Sequence, residues 1–200
     1  LRRSVVLARD FAKTDSSILI QGETGTGKEV FAQSIHNDSS RKKGPFVALN
    51  CAALPEQILE SELFGYAGGA FSGANPKGKA GLFEIAHGGS LFLDEIAEMT
   101  FMTQGKLLRA LQEKKVMRLG SDRVTPVDVR IIAATNKPLK KLVQENEFRD
   151  DLYYRLNVLQ LQLHPLRDRA EDVKTLATYF LNKHAARLKR KLEFSDNALK

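Results

Sequence analysis

Residues 17–36 read SILIQGETGTGKEVFAQSIH, and this stretch decides the fold class. A short aliphatic run, predicted as a strand over 17–21, gives way at Gly22 to a glycine-rich turn, and a helix-compatible pattern begins at Gly27 and continues to His36. Strand, Gly-rich turn, then a lysine at the opening of a helix is the context a phosphate-binding P-loop requires. The glycines let backbone N–H groups turn inward around phosphate oxygens, the helix N-terminus adds positive potential, and Lys28 reaches the β- and γ-phosphates. Gly22, Glu23, Thr24, Gly25, Thr26, Gly27, Lys28 and Glu29 are therefore expected to cradle a nucleoside triphosphate. Glu29 departs from the common pattern, because it stands where Ser or Thr would place a hydroxyl on Mg²⁺. Metal binding must lean on other residues.

Outward from this stretch, further short β-branched and aliphatic segments at 46–50, 90–94, 129–134 and 158–163 punctuate helix-compatible stretches at 4–13, 55–64, 104–113 and 139–145. Such alternation predicts an α/β domain with a parallel five-stranded sheet between helices. Residues 65–81 hold six of the 14 glycines and are predicted to be a loop insertion. Residues 164–169, HPLRDR, read as a linker. Beyond them Val173, Leu176, Ala177, Phe180 and Leu181 share one helical face, which ends soon after a candidate cap at Ser195. The expected organisation is an α/β core over 1–164 and the beginning of a helical lid over 165–200.

Composition narrows the class. With 200 residues, 42% hydrophobic and 28% charged, the chain excludes disorder and collagen and is long enough to bury a core without disulfides. A single cysteine, Cys51, and the lack of an apolar signal-peptide core or membrane-length run point to a cytoplasmic protein with no membrane partner. The net charge of +7 is mostly interspersed with acids; the two basic runs, 41–43 and 187–191, read as solvated faces because no aromatic residues interleave with them. His36, His87, His164 and His184 show no metal-ligand spacing.

Residues 89–95, GSLFLDE, form an apolar strand ending in adjacent carboxylates, as in a Walker B motif. Asp94 is expected to hold Mg²⁺, directly or through water, and Glu95 to polarise the water that attacks the γ-phosphate, because a positioned carboxylate accepts a proton as the nucleophile forms.

The remaining motifs carry a family resemblance that covers essentially the whole chain. Gly69, Ala70, Phe71, Ser72, Gly73 and Ala74 spell GAFSGA, preceded by ELFG at 62–65, and the P-loop reads GETGTGKE with its glutamate. In these the chain resembles the central AAA+ domain of the bacterial enhancer-binding proteins, ATPases that activate sigma-54 RNA polymerase. Several expectations follow from the resemblance. The nucleotide is ATP with Mg²⁺, the protomers assemble into a ring with a hexamer expected, and hydrolysis remodels the sigma-54 holoenzyme at promoters. The 69–74 loop projects from the ring to touch sigma-54, with Ser72 in place of the family's usual threonine; a Phe71 folded back as a staple for its own loop is the other reading. Arg149 and Arg155, in FRDDLYYRLN at 148–157, match the arginine-finger segment, although either is also placed to pair with Asp150 or Asp151. Asn136 matches the sensor I position, with Thr135 as the lesser candidate. Asn50 matches the residue that holds the catalytic glutamate in an inactive pose; an Asn at a strand end also serves as a turn-former. Met99, Phe101 and Met102 correspond to a second surface loop beneath the first, or else fill core. The sensor II segment and the helix-turn-helix that binds enhancer DNA are expected after Lys200, so poor hydrolysis and no specific enhancer binding are expected of these residues alone. Two other classes remain at this point: a different P-loop enzyme, and a module that binds nucleotide only to control oligomerisation.

Overall fold

The five predicted strands all form, and all run parallel. The computed structural model, which describes residues 1–190 and 192–195, runs α1 (Arg2–Ala12), β1 (Ile18–Gln21), α2 (Lys28–Asn37), β2 (Phe46–Asn50), α3 (Glu56–Phe64), β3 (Gly65–Tyr66), β4 (Lys79–Ala80), α4 (Leu82–Ile85), β5 (Ser90–Asp94), α5 (Phe101–Glu113), β6 (Lys115–Met117), β7 (Val124–Pro126), β8 (Arg130–Thr135), α6 (Leu139–Gln144), α7 (Asp150–Leu156), β9 (Leu159–Gln162) and α8 (Ala170–Leu188). Short 3-10 turns lie at Ile96–Glu98 and Leu166–Asp168. Lys191 of the second basic run and positions 196–200 of the expected lid lie outside the described residues.

Residues 2–163 form one compact unit built on the sheet, in the order β2-β5-β8-β1-β9. The inner strands β1, β5 and β8 carry unbroken apolar runs, as parallel strands covered on both faces must. Alternation along each strand then sorts the core into two layers. Ile18, Ile20, Phe92, Ile132, Ala134 and Leu161 pack with Ala8 and Ala12 of α1 and Ala32 and Ile35 of α2. Leu19, Leu91, Leu93, Ile131 and Ala133 pack with residues of α3, α5, α6 and α7, including Leu59, Leu107, Leu142 and Leu152. Each fully buried aliphatic side chain contributes about 1.5–3 kcal/mol.

Two small hairpins were not legible in the sequence. β3 and β4 pair antiparallel and close the base of the glycine-rich insertion, where Lys79 Nζ donates to Glu62 Oε1 and Oε2 at 2.5 and 2.7 Å. Gly81 is needed at this base, because a Cβ there would stand 2.3 Å from the Phe64 carbonyl carbon. The β6–β7 hairpin lies alongside: Ala67 N–H donates to the Leu119 carbonyl and Leu119 N–H to the Gly65 carbonyl, both at 2.9 Å. The neighbour of the insertion is therefore this hairpin, and of the two readings left open for 99–102 core filling holds for Met99. Met99 is a core residue, while Phe101 and Met102 open α5.

Arg41 also departs from its expected solvated role. Its guanidinium donates to both carboxylate oxygens of Asp15 at 3.1 Å and to Asp128 Oδ1 at 3.0 Å, tying the exit of α1 to the turn before β8, whereas Lys42 and Lys43 are exposed. The guanidinium holds both carboxyls below the usual carboxylate range. Folded values lower than unfolded ones mean stabilisation that is complete above the ordinary carboxylate pKa, near 3.8, and lost as pH falls through the lower folded values. Arg41→Gln is expected to cost about 1 kcal/mol near neutrality, since both carboxylates are largely exposed and screened. Thermal unfolding should show a loss of roughly 2–4 °C at pH 7 that shrinks below pH ~3.5. A deficit that persists unchanged in acid contradicts the assignment.

The described residues from His164 on form, with Leu1, the second unit. The predicted linker holds a 3-10 turn, and α8 follows it, with none of its side chains fully buried.

Candidate functional site

β8 lies between β5 and β1, so the carboxyl ends of three adjacent strands open side by side, the position where doubly wound sheets bind ligands. The exit of β1 supplies the P-loop. Gly25 and Gly27 adopt φ of 82° and 95°, a left-handed backbone that L side chains rarely take, and Gly27 caps α2. Lys28 is the first residue of that helix and is only 6% exposed. Its Nζ donates to the Gly22 carbonyl at 3.1 Å and to Glu95 Oε1 at 3.3 Å. The Thr26 hydroxyl donates to the Glu23 carbonyl at 2.7 Å, tightening the turn, while Glu29 is exposed on the first turn of α2.

The exit of β5 supplies the carboxylates. Glu95 sits at φ 50° and ψ 48°, a left-handed conformation for a non-glycine residue, and strain of this kind gathers at functional sites. Its N–H donates to Asp94 Oδ1 at 3.0 Å. The exit of β8 completes the set: Asn136 N–H donates to Glu95 Oε2 at 3.2 Å and Asn136 Nδ2 to Thr24 Oγ1 at 3.2 Å. Lys28, Glu95, Asn136 and Thr24 therefore form one continuous chain of polar contacts. The Thr135 hydroxyl is taken up in the turn, accepting from Lys137 N–H at 3.0 Å.

The donor set fits a Mg²⁺–triphosphate. Burial pushes the Asp94 carboxyl up, with Glu95's charge adding to the rise; the Glu95 N–H and Lys28 only partly offset it. A carboxylate in that position is one a divalent cation stabilises in its charged form. Among the described residues no three His, Cys, Asp or Glu side chains gather into a cage for a metal ion. Mg²⁺ does not require one, as it takes one or two carboxylates and draws its other ligands from phosphate and water.

Asn50 ends β2 in register with Asp94, and its Oδ1 accepts from Ala52 N–H at 2.9 Å, so the turn-forming contact is made. Cys51 beside it is buried, with its N–H donating to the Asp94 carbonyl at 2.9 Å; burial pushes its thiol up to about 12, which suits packing and not nucleophilic chemistry.

Arg149 and Arg155 stand outside this polar chain and apart in their partners. The Arg149 guanidinium lies over the Phe101 ring, 5.2 Å from its centroid, and forks onto Asp151 at 3.0 and 2.9 Å, which holds that carboxyl below its usual range. An ion pair this exposed is worth about 0–1 kcal/mol and can be surrendered readily. Arg155 Nη2 donates to the Leu111 carbonyl at 2.9 Å. The GAFSGA segment lies at the far end of the β3–β4 hairpin. Gly69, Ser72 and Gly73 are exposed, Ala70 and Ala74 partly so, and Phe71 is 45% exposed with its edge against Tyr66, ring centroids 5.0 Å apart. Phe71 is thus neither fully presented nor buried as a staple.

Gln104 belongs to no motif and enters the sequence pattern only as the first residue of the predicted 104–113 helix. A polar residue on the apolar face of α5 was the available signal.

The family model described as the sigma-54 interaction domain matches residues 1–162. The transcriptional regulatory protein GlrR of Escherichia coli (strain K12) is 54% identical over 96% of this chain and 44% of its own length. The sigma-54-dependent transcriptional activator SfnR of Pseudomonas putida is 55% identical over 88% of this chain and 48% of its own. NtrX from Brucella abortus, solved in complex with ADP and with ATP, superposes with TM-scores of 0.91 and 0.88 at 37% identity, covering 99% of this chain and 43% and 45% of that one. The chain thus spans less than half the length of these relatives. Its sheet and P-loop are those of an AAA+ P-loop NTPase. With a family match over 162 of its 200 residues, the chain belongs to the sigma-54 interaction domain family.

Proposed function

We propose that this domain hydrolyses ATP within a ring of protomers, expected to be a hexamer, and uses the cycle to remodel sigma-54 RNA polymerase holoenzyme toward the open promoter complex. One observation carries the reading: the buried Lys28 ammonium, the strained Glu95 and the Asn136 amide, delivered by three adjacent strand ends, are joined by hydrogen bonds beside a glycine turn shaped for phosphate.

Lys28 exchanges the Glu95 carboxylate for the β- and γ-phosphate oxygens when ATP enters the turn at residues 22–29. Glu95, released, accepts a proton from the attacking water. Asp94 would hold Mg²⁺, which would supply neutralisation of phosphate charge. Asn136 touches both Glu95 and Thr24, so it registers loss of the γ-phosphate on either side; Asn50, in register with Asp94, is assigned to hold Glu95 between cycles. Arg149 and Arg155 serve the nucleotide of a neighbouring protomer, since neither side chain joins its own P-loop's polar chain. The loop carrying Gly69, Ala70, Phe71, Ser72, Gly73 and Ala74 meets sigma-54. Recognition of enhancer DNA is not assigned to these residues, and the setting is the cytoplasm; among the described residues no helix is long and apolar enough to cross a membrane.

Phe71→Ala separates the engine from its output. Promoter opening is expected to fall by more than about tenfold, the scale of losing one aromatic anchor, while ATP turnover stays within about twofold. Undiminished opening by Phe71→Ala points to a P-loop enzyme with another partner. ATP binding without turnover in the intact wild-type protein, at any concentration, points to a nucleotide-controlled oligomerisation module.

A further inference from the structure

Gln104 is 0% exposed and lies in the first turns of α5, yet its amide is engaged on three sides. Nε2 donates to the Met99 carbonyl at 2.9 Å and to the Glu147 carbonyl at 3.1 Å; Oε1 accepts the Arg149 N–H at 2.8 Å. Both N–H groups and one carbonyl lone pair are thus used, and in a buried setting such a network is stiff and costly to leave half-made. What it joins is specific. Met99 caps the 3-10 turn that begins immediately after Glu95, while Glu147 lies just before α7 and Arg149 is its N-cap. The same helix presents Phe101 beneath the Arg149 guanidinium, and a Cβ added at Gly105 would come into ordinary contact with it, 3.7 Å from Arg149 Nη1. The backbone of Arg149 is therefore fixed to α5 from inside the core, while its guanidinium stays near the surface on exchangeable partners.

We infer that Gln104 is a positioning residue for Arg149, fixing the backbone of the finger to the turn that follows Glu95 of the same protomer. The inference rests on the reading that Arg149 serves a neighbour's nucleotide. Gln104 touches no substrate; it acts through the placement of Arg149, and a displacement of that backbone by about 1 Å is enough to cost on the order of a hundredfold in a reaction that depends on orientation.

The test uses mixed assemblies of the intact protein. Arg149→Ala protomers have a complete P-loop and no finger; Lys28→Ala protomers have the finger and no functional P-loop. Lys28→Ala protomers should restore turnover to Arg149→Ala protomers. The double variant Lys28→Ala/Gln104→Asn, whose shorter amide cannot span the three partners, should restore at least about tenfold less, with KM for ATP at the Arg149→Ala sites within about twofold and co-assembly intact by mass measurement. The Arg149 amide should also exchange its hydrogen faster in a Gln104→Asn variant, and the apolar Gln104→Leu should repeat the loss. No rescue by Lys28→Ala alone defeats the finger reading itself. Rescue by Lys28→Ala that the double variant matches in full overturns the inference about Gln104 only. A double variant that fails to assemble, or that raises KM with kcat unchanged, overturns it equally, because Gln104 would then serve stability or binding and not placement of the finger.

Discussion

Glu95→Gln is expected to bind ATP as tightly as the parent or tighter, and to turn it over about 10²–10⁴ times more slowly. The substitution keeps the side chain's shape but removes the only group in the polar chain at the strand ends able to take a proton from water. It also removes the charge that holds the Lys28 ammonium at 3.3 Å, so Lys28 is freed for phosphate and affinity does not fall. Titration with a fluorescent ATP analogue beside a phosphate-release assay separates the two effects. Normal turnover by the variant contradicts the role assigned to Glu95, and lost binding with unchanged kcat would make Glu95 a binding residue instead.

Arg149→Ala carries the second large effect. A guanidinium that stabilises charge on a transferring phosphoryl group is worth about 10³–10⁵ in rate, and a loss of at least 10² is expected here because Arg155 remains. Local stability should change little, as the pair with Asp151 is exposed. The decisive signature is the dependence on assembly: the parent's specific activity rises with protein concentration, whereas that of Arg149→Ala stays low across the range. A variant that keeps the parent's turnover at saturating concentration removes Arg149 from the reaction.

Much of the sheet was legible because parallel strands buried on both faces leave unbroken apolar runs, as in ILI at 18–20, LFL at 91–93 and IIAA at 131–134. The P-loop was legible because glycine spacing, an adjacent strand and a following helix must all agree. The β3–β4 and β6–β7 hairpins escaped because strands of two or three residues are shorter than the period that would betray them. α7 escaped for a similar reason: seven residues with two acids at the start gave no full amphipathic repeat.

Contacts far apart in sequence were the other gap. Arg41 reads as part of a basic run until the fold brings Asp15 and Asp128 to it from positions 26 and 87 residues away. Arg130 opens an apolar strand and is fully buried, with its guanidinium on the Phe11 and Ser16 carbonyls at 2.7 and 3.3 Å. Within the site, the motifs named Lys28, Glu95 and Asn136 separately; that Asn136 bridges Glu95 and Thr24 is a product of strand order, which no local pattern encodes.

A nucleotide site shared between protomers is probed by turnover in mixtures of two inactive proteins. Lys28→Ala and Arg149→Ala protomers, each nearly silent alone, should regain activity when combined, rising to a maximum at intermediate ratios, because every junction that pairs an intact P-loop with an intact finger is complete. Co-assembled mixtures that stay silent at every ratio would show that Arg149 does not act across the junction and that the site is not shared.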